Sequence, residues 1–181
     1  EAGNGATIGD LVWFDANADG TNNGAEYGLP NVSVALIRDS NANGVWDNGE
    51  PVIATTLTDA NGSYAFTGLP VTDGMGTDDY LVWVNDTGHI LGALTPTYDA
   101  DGVASANVSA VSDLTAAGNP FQDFGYTSQG QMFGAGLIGD TIFLDRNGNG
   151  TPEAGEGLQG VTVELYTTNG TLLASAATDG N

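Results

Sequence analysis

The chain has 181 residues, with 23 acidic side chains against two arginines, Arg38 and Arg146, no lysine, and a formal net charge of −21. Such a field repels nucleic acid and anionic lipid, so neither is expected as a partner. Zero Cys excludes disulfides, thiolate metal sites and cysteine nucleophiles, and the lone His89 has no second imidazole to share a metal.

An apolar fraction of 40% with three Trp is that of a globular protein, and 28 Gly among many Asn, Asp and Thr point to numerous turns. No apolar run is long enough to cross a membrane and no signal peptide is present. Whatever came before Glu1 is expected to have been removed either by processing or by the choice of the expressed segment.

In chain order, residues 1–7 are a lead-in. IGDLVWFDANADG at 8–20 opens a repeat, because residues 138–150 read IGDTIFLDRNGNG. GLPNVSVAL from Gly28 likewise matches GLQGVTVEL from Gly157, the second copy being one residue shorter, opposite Tyr27. Val32, Val34 and Leu36 alternate with Asn31, Ser33 and Ala35, which predicts a strand with one apolar face; Val161, Val163 and Leu165 repeat it. PVIATTLT reads as the next strand. An Asp-Ala-Asn-Gly turn at 59–62 leads into SYAFTG, where Tyr64 and Phe66 share a face. Tyr80, Val82 and Val84 alternate with Leu81 and Trp83, and Phe124 and Tyr126 close the copy. The short strands, without a convincing helix, predict an all-β sandwich.

The expected organisation is a complete domain over 8–127, a glycine-rich linker over 128–137, and the first part of a second copy over 138–181. That second copy reaches TDGN, the match of TDAN at 58–61, so the counterpart of Gly62–Tyr126 is missing. A β-domain fragment this short cannot bury a core alone. Two readings stay open: a window on a longer array, or a neighbouring molecule that supplies the missing strands.

The pattern D-x-[DN]-x-[DN]-G-x5-E occurs three times. Asp15, Asn17, Asp19, Gly20 and Glu26 form the first match; Asp39, Asn41, Asn43, Gly44 and Glu50 the second; Asp145, Asn147, Asn149, Gly150 and Glu156 the third. Ca2+ is a hard cation that takes six to eight oxygens, and short Asp and Asn side chains at positions 1, 3 and 5 converge on one centre. Gly at position 6 permits the sharp turn, the carbonyl at position 7 (Thr21, Val45 or Thr151) turns inward, and Glu at position 12 reaches back. Position 9 is Asn23, Asp47 or Glu153, so each loop carries three formal negative charges. Those charges repel one another without a counterion. D-x-N-x-N-G also makes metal-free turns, and the weaker pairs Asp59/Asn61 and Asp99/Asp101 read as ordinary turns. Asp10 and Asp140, in the two IGD segments, suit either structure or a metal.

IGDLVWFDANADG…GLPNVSVAL, TLTDANGSYAFTGLP, LTPTYDADG and FQDFGY together resemble the B-type repeats of serine-aspartate-repeat surface proteins, within the collagen-adhesin B-like group. The resemblance covers nearly all of 8–127 and 138–181. It implies an immunoglobulin-like (prealbumin-like) β-sandwich, strung in tandem repeats on an extracellular cell surface, with Ca2+ as its cofactor. It also implies Asp15, Asn17, Asp19 and Glu26, with Asp39, Asn41, Asn43, Asp47 and Glu50, as calcium ligands. Some relatives in the wider group carry a Lys–Asn or Lys–Asp isopeptide bond, which a chain without Lys cannot form.

The expected function is a calcium-rigidified spacer or stalk repeat of a secreted surface protein or fibre. Its partners would be neighbouring repeats of the same protein. The alternatives are self-association into a filament through the second copy, and an adhesin module that binds a host protein or glycan through Trp46, Trp83 or the acidic segment DGMGTDD at 73–79. No Ser–His–Asp set or phosphate loop is present, and an enzyme is not expected.

Overall fold

The computed structural model describes residues 5–23, 26–71, 78–132, 138–139, 141–153 and 155–179. The chain falls into two compact units, Glu1–Leu137 and Ile138–Asn181.

Unit 1 runs β1 (Ala6–Phe14), β2 (Tyr27–Gly28), β3 (Ser33–Arg38), β4 (Val52–Leu57), β5 (Ser63–Leu69), β6 (Asp78–Val84), β7 (Thr95–Asp99), β8 (Val108–Ser112) and β9 (Phe124–Thr127). The only helical turn among the described residues is the 3-10 turn Val103–Ser105. One sheet has the order β2-β1-β9-β7 with β5 also on β1, and the other has the order β4-β3-β6-β8. β1 divides its pairing: Ala6 to Leu11 run antiparallel to β5, while Val12 to Phe14 run parallel to β9. The fold is thus an all-β sandwich.

The core between the sheets follows the alternation in the sequence. Ile8, Val12 and Phe14 of β1, Val34 and Leu36 of β3, Tyr64 and Phe66 of β5, and Tyr80, Val82 and Val84 of β6 form one cluster with Phe124 and Tyr126. In β5 the intervening Ser63, Ala65 and Thr67 are exposed, as a half-buried strand requires.

β3 and β6 depart from this rule. Ala35, Ile37 and Leu81, on the face expected to meet solvent, are also fully buried. Ala35 pairs with Trp83 and Ile37 with Leu81 across the central strands, and Trp46, from the connection after β3, packs against Trp83 with ring centroids 4.3 Å apart and planes tilted by 36°. A side chain arriving from a loop therefore adds apolar cover at the Trp83 position of this outer face.

Two glycines let the β1–β2 hairpin and the 59–62 turn touch backbone to backbone. A Cβ on Gly28 would sit 1.7 Å from the Asn61 carbonyl oxygen, and one on Gly62 would sit 2.5 Å from the Gly28 Cα. Gly62 also has φ +79°, and its N–H bonds the Asp59 carbonyl at 3.0 Å. Unit 2 carries a hairpin of β10 (Thr162–Tyr166) and β11 (Leu172–Ala177), in which every residue is exposed.

Gly28→Ala is expected to destabilise unit 1 by about 3 kcal/mol, because backbone must move and no flexible side chain can yield. Gly139→Ala, with open space around the added carbon, is the matched control with no effect. Urea unfolding of the two variants checks this.

Candidate metal centre

Each twelve-residue loop joins two neighbouring β-segments at a hairpin corner. Loop 1 (15–26) connects β1 to β2, and loop 2 (39–50) connects β3 to β4. Loop 3 (145–156) lies between Phe143 and Gly157, which form an isolated antiparallel bridge.

The position-1 Asp organises every loop. Its Oδ1 accepts the N–H of position 5, from Asp19 to Asp15 at 3.1 Å, Asn43 to Asp39 at 3.3 Å and Asn149 to Asp145 at 3.2 Å. Its Oδ2 accepts the N–H of the position-6 glycine at 2.8, 2.7 and 2.9 Å. The position-3 Asn accepts the position-5 N–H at 3.0, 3.1 and 3.0 Å. The position-12 Glu crosses the loop to the N–H of position 2: Ala16 to Glu26 at 2.9 Å, Ser40 to Glu50 at 2.8 Å and Arg146 to Glu156 at 3.0 Å. Three sequence matches thus share one geometry.

The backbone agrees. Position 4 lies in the left-handed region in all three loops, as Ala18 (φ 57°), Ala42 (φ 56°) and Gly148 (φ 75°), and position 6 follows at φ 71°, 72° and 77°. An L-residue there costs about 1–2 kcal/mol, so Ala18 and Ala42 are held by the bonds around them rather than by preference.

Positions 5 and 9 exchange acid and amide. In loop 1 the Asn23 amide donates to the Asp19 carboxylate at 2.9 Å. In loop 2 the Asn43 amide donates to Asp47 at 2.8 Å, and in loop 3 the Asn149 amide donates to Glu153 at 2.7 Å. The swap keeps each loop at three negative charges. Asn41 and Asn147, at position 3, donate to the same position-9 acids at 2.7 and 2.8 Å. Of the position-7 carbonyls, that of Thr21 accepts the Asn23 amide at 3.1 Å.

Loop 1 is the most enclosed. Asp15 is fully buried, and one carboxylate oxygen each from Asp15, Asp19 and Glu26 lie within 4.8 Å of one another. Among the described residues no other His, Cys, Asp or Glu trio is that close. Burial pushes the Asp15 carboxyl up, but the Thr97 hydroxyl and the N–H groups of Gly20 and Asp19 hold it below the ordinary carboxylate value. The Asn41 and Asn43 amides lower Asp47, and the Gly150 N–H leads the donors that lower Asp145. Carboxylates held ionised at close range, with oxygen as the only donor atom, fit a hard cation. In loop 3 the buried Glu156 Oε2 has no hydrogen-bond partner, whereas Glu26 and Glu50 accept the position-9 N–H, both at 3.0 Å. Glu156 therefore keeps an oxygen open to such an ion.

The remaining candidates sort differently. Asp59 accepts the N–H groups of Asn61 at 2.8 Å and Ser63 at 2.9 Å, a plain Asx turn. Asp10 is exposed on β1, ahead of loop 1 but not part of it, and is paired across the sheet with Tyr64. Asp140 and most of DGMGTDD lie outside the described residues. Thr97 is the contributor the motif could not reveal, since it comes from β7 and meets Asp15 only through the fold.

Fold and loops together define a β-sandwich module with acidic, oxygen-lined hairpin corners. The chain belongs to the SdrD B-like domain family, which matches residues 6–122 and 136–181. It is 32% identical over 185 residues to Colossin-A of Dictyostelium discoideum, covering 96% of this chain and 2% of that protein. It is 29% identical over 191 residues to serine-aspartate repeat-containing protein C of Staphylococcus aureus (strain Newman), with 96% and 16% covered. Against serine-aspartate repeat-containing protein E of strain MSSA476 the identity is 30% over 175 residues, with 96% and 14% covered. The chain thus spans a small fraction of each relative. The shaft pilin spaA of Lactobacillus rhamnosus GG is similar at a TM-score of 0.42 and 12% identity, over 93% of this chain and 63% of that one.

Asp123 gives a pH test of the fold beside Asp10. Its Oδ1 accepts the Leu11 N–H at 3.0 Å; burial and the Asp10 charge across from it raise its carboxyl to about 6, from 3.8. The Tyr64 hydroxyl, which donates to the Gln122 carbonyl at 2.5 Å, closes the site from β5. A raised carboxyl takes up a proton on folding between about pH 4 and 6, so its contribution is complete below pH 4 and lost as pH rises through 6. Asp123→Asn is expected to flatten the fall in melting temperature over pH 4–7 in chelator, and thermal melts across that range check it.

Proposed function

We propose that the chain is a calcium-stapled structural repeat of a secreted, cell-surface stalk or fibre. The single observation that carries this reading is the shared geometry of the three loops, each set at the corner of a hairpin. In loop 1 the ligands would be Asp15, Asn17, Asp19, the Thr21 carbonyl and Glu26. In loop 2 they would be Asp39, Asn41, Asn43, the Val45 carbonyl, Asp47 and Glu50. In loop 3 they would be Asp145, Asn147, Asn149, the Thr151 carbonyl and Glu156.

The work of the ion is linkage. A cation that binds only the folded loops stabilises them by RT ln(1 + [Ca2+]/Kd). With the weak sites usual in extracellular modules, millimolar calcium adds roughly 0.4–1.4 kcal/mol per site. Because Asp15 donates its N–H to the Tyr126 carbonyl at 2.7 Å, loop 1 couples that stabilisation to β9. Neighbouring repeats would then be joined by stiff domains. Membership of the SdrD B-like domain family supports the surface setting. No helix among the described residues is long and apolar enough to cross a membrane.

Self-association through unit 2 is the second reading, favoured by the exposure of its hairpin. Val163 and Leu165 are 46% and 38% exposed, while their repeat counterparts Val34 and Leu36 are fully buried. That apolar face gains stability from cover by the rest of a repeat or by a second copy. The adhesin reading has less support, since Trp46 spends one ring face on Trp83.

Millimolar Ca2+ is expected to raise the melting temperature by several degrees over excess chelator. Asp15→Asn and Asp39→Asn are each expected to remove part of that shift without changing the chelator baseline by as much. Identical melting curves with and without chelator would overturn the calcium reading. Sedimentation equilibrium addresses the second reading: a monomer at every concentration excludes it.

A further inference from the structure

Asp99 is the strongest feature that the loops leave unused. It ends β7 at 4% exposure, and neither carboxylate oxygen has a hydrogen-bond partner. The Ser109 hydroxyl of β8 is fully buried and faces the Asp99 carboxyl without closing to a hydrogen bond of ordinary geometry. Asp101 follows on the turn closed by the Gly102 N–H to the Asp99 carbonyl at 3.0 Å. Its Oδ2 accepts the Ala110 N–H at 3.0 Å, which fixes the carboxylate against the middle of β8. Two strands and one turn therefore bring two carboxylates and a hydroxyl together, with three buried oxygens unsatisfied.

A buried carboxylate without a partner costs far more than the fold recovers by placing it there. Either a proton or a cation must balance it. The Asp101 carboxylate beside it brings a second negative charge to the same corner. The outer rim is open: Asp101, Gly102 and Val103 are exposed, which leaves a path for an ion and its water.

We infer that Asp99, Asp101 and the Ser109 hydroxyl form a further cation site, for Ca2+ or a similarly hard divalent ion, separate from the three loops. Asp99 bidentate, one Asp101 oxygen and the Ser109 hydroxyl supply four of the six to eight oxygens calcium takes, with water at the rim completing the set. Nitrogen and sulfur ligands are lacking, so zinc is a poor fit. The ion would tie the end of β7, in the β1 sheet, to β8, in the opposite sheet. No loop residue takes part, so the site stands or falls independently of the loops.

Equilibrium dialysis of the full 181-residue chain with radioactive Ca2+ tests the site. Asp101→Asn keeps an oxygen for the Ala110 N–H and lies at the surface, so the chelator-state fold is retained, and relief of the repulsion on Asp99 moves its melt upward if at all. It is expected to lower the bound calcium at saturation by one per chain. Ser109→Ala, a smaller change, is expected to weaken one class of site at least threefold. Asp39→Asn is the comparator: it should remove a different ion, and the double variant Asp39→Asn/Asp101→Asn should remove two. A loss in Asp101→Asn with none in Asp39→Asn would support this site while contradicting the loop. Unchanged number and affinity in both Asp101→Asn and Ser109→Ala would overturn the proposal and leave Asp99 as a protonated acid.

Discussion

Three carboxylates drawn together at a hairpin corner repel one another, and nearly everything distinctive about this chain follows from how that repulsion is managed. Short-range repulsion among partly buried charges reaches several kcal/mol at an intermediate effective dielectric. Backbone N–H groups offset part of it: each position-1 Asp accepts two or more of them from its own loop. Position 9 changes from amide to acid when position 5 changes from acid to amide. The total charge is held while its placement varies, as expected where a single divalent ion must satisfy the set.

The same constraint shapes the sandwich around the loops. Loop 1 cannot be moved without moving β1, and β1 is the strand on which β2, β5 and β9 all pair. Loop 2 sends Trp46 onto Trp83, so the loop's shape determines whether Trp83 keeps that apolar cover on the outer face. Flanking helices would let an ion-binding loop swing two levers, as in calcium sensors. Flanking strands, already fixed by ladder bonds and core packing, leave little to swing. The geometry favours rigidity over signalling.

Sequence alone revealed what depends on neighbours along the chain. The alternation of Tyr64 and Phe66, the Asx turn at Asp59 and the loop pattern are local, and each was legible. Pairings made through the fold were not. Nothing in the alternation announces that Ile37 and Leu81 are buried on the second face, or that Trp46 packs against Trp83. Nothing near Asp15 points to Thr97, more than eighty positions away in the numbering. Asp99 and Asp101 read as turn formers, because the burial that isolates Asp99 and the approach of Ser109 arise only when β7 and β8 take their places. The parallel pairing of β1 with β9 was equally hidden, since strand direction leaves no mark on an alternating pattern.

The central claim is that a cation locks the hairpin corners by binding the position-1 carboxylates. Amide hydrogen exchange at Gly20, Gly44 and Gly150 measures this most directly, because their N–H groups bond those carboxylates and report the closing of each loop. The account predicts that Ca2+ slows exchange at all three amides by tenfold or more, while amides in the middle of β3 change little. Equal exchange rates with calcium and with chelator at those three glycines would contradict it.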